Sequence, residues 1–256
     1  MSLVGAAVCP HPPLLLPGLT GAGSPVDPAA ELRAACLDAV RRVLSVGTDV
    51  VVLVAGDPAA PPDAGREWDP GAASGVEGYS AGRVASQSPS GDEPLPLGLA
   101  VGRHLLDAAG WTGPRRLVAV SSMAAPADCL ALGRRWVRGE HRVALVVLGD
   151  GSARRTLKAP GYLDPRALEL DALAEKGLHG DLGVLRELDP VLCDQLLVAG
   201  RAAWQVLAGA AEGAGAITPT EHLDADPYGV RYLVVSWAVG IPLGLHGPDS
   251  TTITRE

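Results

Sequence analysis

The chain has 256 residues, a formal net charge of -8 and a sequence pI near 5.2. The acidic balance argues against nucleic-acid binding, since the longest basic clusters in the sequence are isolated arginine pairs, and the length suits one α/β domain with a sizeable core. Hydrophobic residues make up 47% but include no Phe, only 5 Trp and 4 Tyr, so that core is aliphatic.

The first element is an apolar run, Leu3 to Cys9, read as a buried strand. It ends in Cys9-Pro10-His11-Pro12-Pro13, where the prolines hold His11 on a stiff extended segment. Leu32, Cys36, Ala39, Val40 and Val43 then recur at helical spacing. A second strand covers Asp49 to Ala55 and leads into Gly56-Asp57-Pro58. The stretch Pro58 to Pro96, rich in Gly, Ser and Pro, reads as a long irregular connection, the kind that forms a lid.

Helical patterns over Leu97 to Ala109 and Ala127 to Arg138 flank a third strand, Arg116 to Val120. The fourth strand is Arg142 to Leu148, followed by Gly149 to Arg155. A helical block, Asp164 to Ala211, has starts at Asp164-Pro165 and Asp189-Pro190. Strands over Gly215 to Thr220 and Val230 to Ala238 complete the chain. Alternating strands and helices predict a single α/β domain over residues 1–256, with a mostly parallel central sheet covered by helices on both faces.

Cys9, Cys36, Cys129 and Cys193 have no metal-binding spacing and are expected as buried free thiols. The apolar run at the N-terminus breaks at Pro10, and no stretch approaches the roughly 20 apolar residues of a membrane span. The expectation is a soluble, cytoplasmic protein without nucleic-acid or membrane partners.

Ligands of open parallel sheets bind outside the carboxyl ends of the strands. That rule gathers His11, Asp57, Ser121, Asp150 and Ser152, with Glu221, His222 and Asp224 near the fifth strand as further members. An imidazole with carboxylates can hold a divalent metal such as Fe(II). The bland alternatives are a histidine within a rigid turn and an aspartate that starts one.

Several stretches, "CPHPPLLLPG", "DVVVLVAGD", "LPLGLAVGRHLLDAAG", "VLGDGSARRTLKAPGYLDPRA", "DQLLVAGRAAWQVLAGAA" and "DPYGVRYLVVSWAVG", together resemble an actinobacterial family of class III extradiol ring-cleavage dioxygenase-like proteins. The resemblance spans nearly the whole chain. It implies the single α/β domain of that superfamily, which includes the protocatechuate 4,5-dioxygenase catalytic subunit and Memo-type proteins. Active members bind Fe(II) through two histidines and a glutamate, and a further histidine is the acid-base catalyst.

His11 matches the first iron histidine, but Asp57 stands at the second and Ala153 at the acid-base position. No carboxylate precedes Trp237 within Arg231 to Val234. The resemblance therefore implies a degenerate iron site that lacks catechol cleavage and holds a small-molecule ligand or partner in the old cleft. The competing reading is an active Fe(II)-dependent enzyme with a metal held by His11, Asp57 and a third group among Glu221, His222 and Asp224. Homodimerisation is also expected from related proteins.

Overall fold

The computed structural model describes residues 2–16, 29–60, 65–73, 93–139 and 141–240. Its strands are β1 (Ser2–Cys9), β2 (Val50–Asp57), β3 (Arg66–Trp68), β4 (Arg115–Ser121), β5 (Arg142–Leu148), β6 (Ile217–Ala225) and β7 (Tyr232–Val239). The helices are α1 (Ala30–Leu44), α2 (Leu97–Ala108), α3 (Pro126–Trp136), α4 (Arg166–Leu178), α5 (Leu182–Glu187), α6 (Pro190–Gln195) and α7 (Arg201–Ala210), with a short 3-10 turn at Pro13–Leu15. None is long and apolar enough to cross a membrane.

All seven strands join one sheet in the order β3-β4-β2-β5-β1-β7-β6. The four Val- and Leu-rich runs form its centre and pair in parallel, as continuous apolar strands covered on both faces do. The flanks are antiparallel: β3 lies against β4, and β7 and β6 extend from β1. The sheet is thus parallel in its core and mixed as a whole.

Successive side chains alternate between two apolar layers. Ala7, Leu53, Ala55, Val146 and Leu148 meet α1 and α2, whereas Val8, Val54, Leu145, Val147 and Trp237 meet the side covered by α3, α4 and α7. Helices α3 and α7 approach through glycines. A Cβ on Gly133 would lie 2.0 Å from the Val206 carbonyl oxygen, and one on Gly209 2.2 Å from that of Leu130.

Two sequence expectations need adjusting. Within Pro58 to Pro96, Arg66–Trp68 is an edge strand with Trp68 buried against the core, because its aromatic ring anchors an otherwise weak segment. The expected lid falls largely on 61–64 and 74–92, outside the described residues. The helical block divides into four helices, broken at Gly180 (φ 110°) and Leu197 (φ 55°). The start at Asp189 is the expected one and that at Asp181 is added; both aspartates cap, accepting from the Leu192 and Val184 amides respectively.

Candidate functional site

The carboxyl ends of the central strands stand level. Cys9 and Ala55 both pair with Leu148, so His11, Asp57 and Asp150 each lie two residues beyond one row. β5 separates β1 from β2, which puts the outer two positions about 10 Å apart at the backbone. On one side this edge is closed by the chain entering α7. The Gly149 Cα faces Gly200 so closely that a Cβ would lie 2.2 Å from the Gly200 Cα.

His11 is the central feature. Its amide donates to Asp150 Oδ1 at 2.8 Å, while its ring Nδ1 lies 3.8 Å from that oxygen, too far for a hydrogen bond. Nδ1 is buried and has no hydrogen-bond partner among the described residues. The ring abuts the first turn of α2, 3.8 Å from where a Gly98 Cβ would stand, and α2 begins without a side-chain cap. A buried imidazole nitrogen left unpaired loses its bonds to water, so an added hydrogen-bond partner there would be favourable.

Asp150 is fixed by its turn. The Gly149 amide donates to the Cys9 carbonyl, the Gly151 amide to the Arg231 carbonyl, and the Gly200 amide to the Asp150 carbonyl. Beneath lies a polar network. Asp171 accepts from the Ser152 amide and from Arg155, and the Arg231 guanidinium donates to Asp224, Glu175 and the Asp171 carbonyl. Tyr232 was not singled out from the sequence. Burial, followed by the Asp150 charge, raises the pKa of its phenol, which stays a neutral O–H near Asp150. The tyrosine that opens a strand beside "DPYG" was the available signal.

The other expected residues are placed differently. Asp57 Oδ1 accepts from the Ala59 amide at 2.9 Å, the turn-starting role of an Asp before Pro. Ser121 is buried and accepts from the Met123 amide. Ser152, expected in the pocket, is completely buried; it donates to the Leu196 carbonyl and accepts from the Arg154 amide. Its side chain is turned away from the surface, because the Gly151–Ser152 turn folds inward onto Asp171.

Glu221, His222 and Asp224 do not leave the fifth strand; they are part of it, since β6 runs on to Ala225. Their side chains meet other partners. Glu221 lies 3.3 Å from His179 Nε2, His222 Nε2 is 2.8 Å from Ser236 Oγ, and Asp224 pairs with Arg231. The iron set of two histidines and a glutamate therefore has no counterpart beside His11 among the described residues. The donors present at this edge, one imidazole and carboxylates already engaged by backbone amides, do not fit that iron.

One trio of potential ligands does converge among the described residues, Glu175, His179 and Glu221, on the surface between α4 and β6. Glu175 is already neutralised by Arg231 at 2.7 Å. The four cysteines are buried and free, as expected, and burial pushes Cys129 up to about 11 and Cys193 up to about 12. Cys36, hydrogen-bonded with the Cys9 thiol and buried, is raised well above the ordinary thiol value. Protonated thiols of this kind are poor nucleophiles and poor metal ligands.

Burial also lowers the pKa of His222, with Arg42 acting in the same direction and Asp38 opposing it. With its folded pKa below the unfolded value near 6.5, the unfolded chain binds the extra proton first as pH falls. Stability is therefore expected to drop from about pH 6.5 downward until the folded imidazole also titrates. His104, lowered by burial, adds to the same trend. Urea midpoints measured between about pH 5 and 7 should show the slope, and His222→Gln should reduce it.

No family model matches the sequence, and no curated protein does. Among solved structures, the chain is similar to an uncharacterized protein of Escherichia coli K12, at 15% identity and a TM-score of 0.49, over 91% of this chain and 99% of that one.

Proposed function

We propose that the protein is a class III extradiol dioxygenase-like protein that holds a small ligand beside His11, at the carboxyl edge of its sheet, without the family's iron-dependent ring cleavage. One observation carries the reading: His11 Nδ1 is buried, unpartnered and rigidly held at the edge where open α/β sheets bind ligands. A bound oxygen or nitrogen would satisfy it. The uncapped start of α2, which offers free first-turn amides, supports a ligand with a hydrogen-bond acceptor.

Chemistry supports the non-cleaving form. The acid-base position holds Ala153, which cannot transfer a proton, so the step usually assigned to a histidine has no agent there. What this chain supplies is position. Asp150 fixes the backbone of His11, while Tyr232 remains protonated near that carboxylate.

A thermal-shift screen of small aromatic and carboxylic acids tests this with wild type and His11→Ala. Compounds that raise the wild-type Tm are expected to lose most of that shift in the variant; one binding at 100 times its Kd stabilises by about 2.7 kcal/mol. Shifts that survive His11→Ala unchanged, or oxygen uptake with a catechol after Fe(II) loading, would overturn the reading.

A further inference from the structure

A groove of about 710 Å³ opens at the other end of the sheet, where β2, β4 and β5 begin and α3 ends. It lies about 23 Å from the His11 edge, the length of the seven-residue β5. We propose that this groove binds a small polyphosphate-bearing ligand through Arg116, Arg135 and Arg138.

The charges favour an anion. Arg135 and Arg138 have no carboxylate partner among the described residues, and Arg116 has only the exposed Glu67, at 3.5 Å. Asp49, the acid among the described lining residues, is engaged by the Arg142 amide at 2.7 Å and lies 4.0 Å from its guanidinium. Arg115 also lines the groove, but its guanidinium is held by Asp107 and the Trp111 carbonyl. The carboxyl-terminal dipole of α3 opposes an anion, but its partial charge is smaller than the full charges of three guanidinium groups.

Trp136 organises the donors. The guanidinium groups of Arg116 and Arg135 lie 5.2 and 5.7 Å from its ring centroid, which holds them over the indole. Its own Nε1–H is buried and has no acceptor among the described residues. Several guanidinium forks match a ligand with more than one phosphate better than a single carboxylate, because each planar fork takes two oxygens. The groove's volume lies within the usual range for small-molecule sites, roughly 300–1,000 Å³. A nucleic acid is disfavoured, because the cations are confined to a concavity in a chain of net charge -8.

Isothermal titration of the full chain with inorganic tripolyphosphate at low salt tests the proposal. Saturable binding is expected, weakened about tenfold or more in the Arg135→Ala/Arg138→Ala double variant. The exposed control pair Arg41→Ala/Arg42→Ala, on α1, should leave it within about twofold. The Trp136 indole N–H signal, assigned by its loss in Trp136→Phe, should shift on titration. Absence of saturable binding, or equal loss in both double variants, overturns the proposal. So does tighter binding of a single-stranded RNA oligomer with the same arginine dependence.

Discussion

Replacing Arg231 by methionine is expected to lower stability by about 3 kcal/mol, the low end of the range for breaking a buried ion pair. The guanidinium is almost buried and makes four hydrogen bonds, to both oxygens of Asp224, to Glu175 and to the Asp171 carbonyl. Two considerations set the size. Losing the cation strands two carboxylates and a buried carbonyl, which costs more than the pair contributes. Yet Asp224 and Glu175 are 39% and 41% exposed, so water recovers part of their solvation and holds the effect below the upper range.

The main-chain bonds of Arg231 to Gly151 and Ser152 survive in this variant, so the turn carrying Asp150 keeps part of its anchorage. Urea unfolding should show a lower midpoint with an unchanged slope. A loss under about 1 kcal/mol would mean the network is solvated and does not brace the turn.

Gly133→Ala should have an effect of similar size for a different reason. Its new methyl would meet Val206 O at 2.0 Å, Ala210 N at 2.6 Å and Gly209 C at 3.0 Å, all backbone atoms of α7. Alanine normally improves a helix by about 1 kcal/mol over glycine, but here the clash decides the sign. Neither helix can yield by turning a side chain, so α3 and α7 must separate and loosen the apolar layer around Trp204 and Val206. A cost of about 3 kcal/mol is expected, the upper end for overpacking, with a Tm lower by roughly 6–12 °C. An unchanged or higher Tm would show that the helices do not meet this closely.

The parallel centre was legible because its four strands are continuous Val- and Leu-rich runs with helical patterns between them. What the sequence obscured was local. Arg66–Trp68 sits in a Gly- and Pro-rich stretch too short to show alternation, and its strand exists because β4 offers an open edge and Trp68 an apolar anchor. In β6, the polar residues Glu221, His222 and Asp224 read as a loop. They form an edge strand whose partly exposed faces tolerate charge, with a register shift between Glu221 and Leu223.

At the candidate site, the rule about strand ends gathers His11 and Asp150, and both lie at the carboxyl edge of the sheet. Ser152 is fully buried, because its turn folds inward onto Asp171, which sequence position does not show. Tyr232 reaches the site only through the antiparallel return of β7 beside β1, which local patterning does not encode.

The most direct test of the account is iron content after anaerobic Fe(II) loading and desalting, in wild type and His11→Ala. The geometry at the sheet edge predicts substoichiometric iron in both proteins, because Asp57 is tied into its own turn and Glu221 and His222 face other partners. Near-stoichiometric iron in the wild type that disappears in His11→Ala would contradict it.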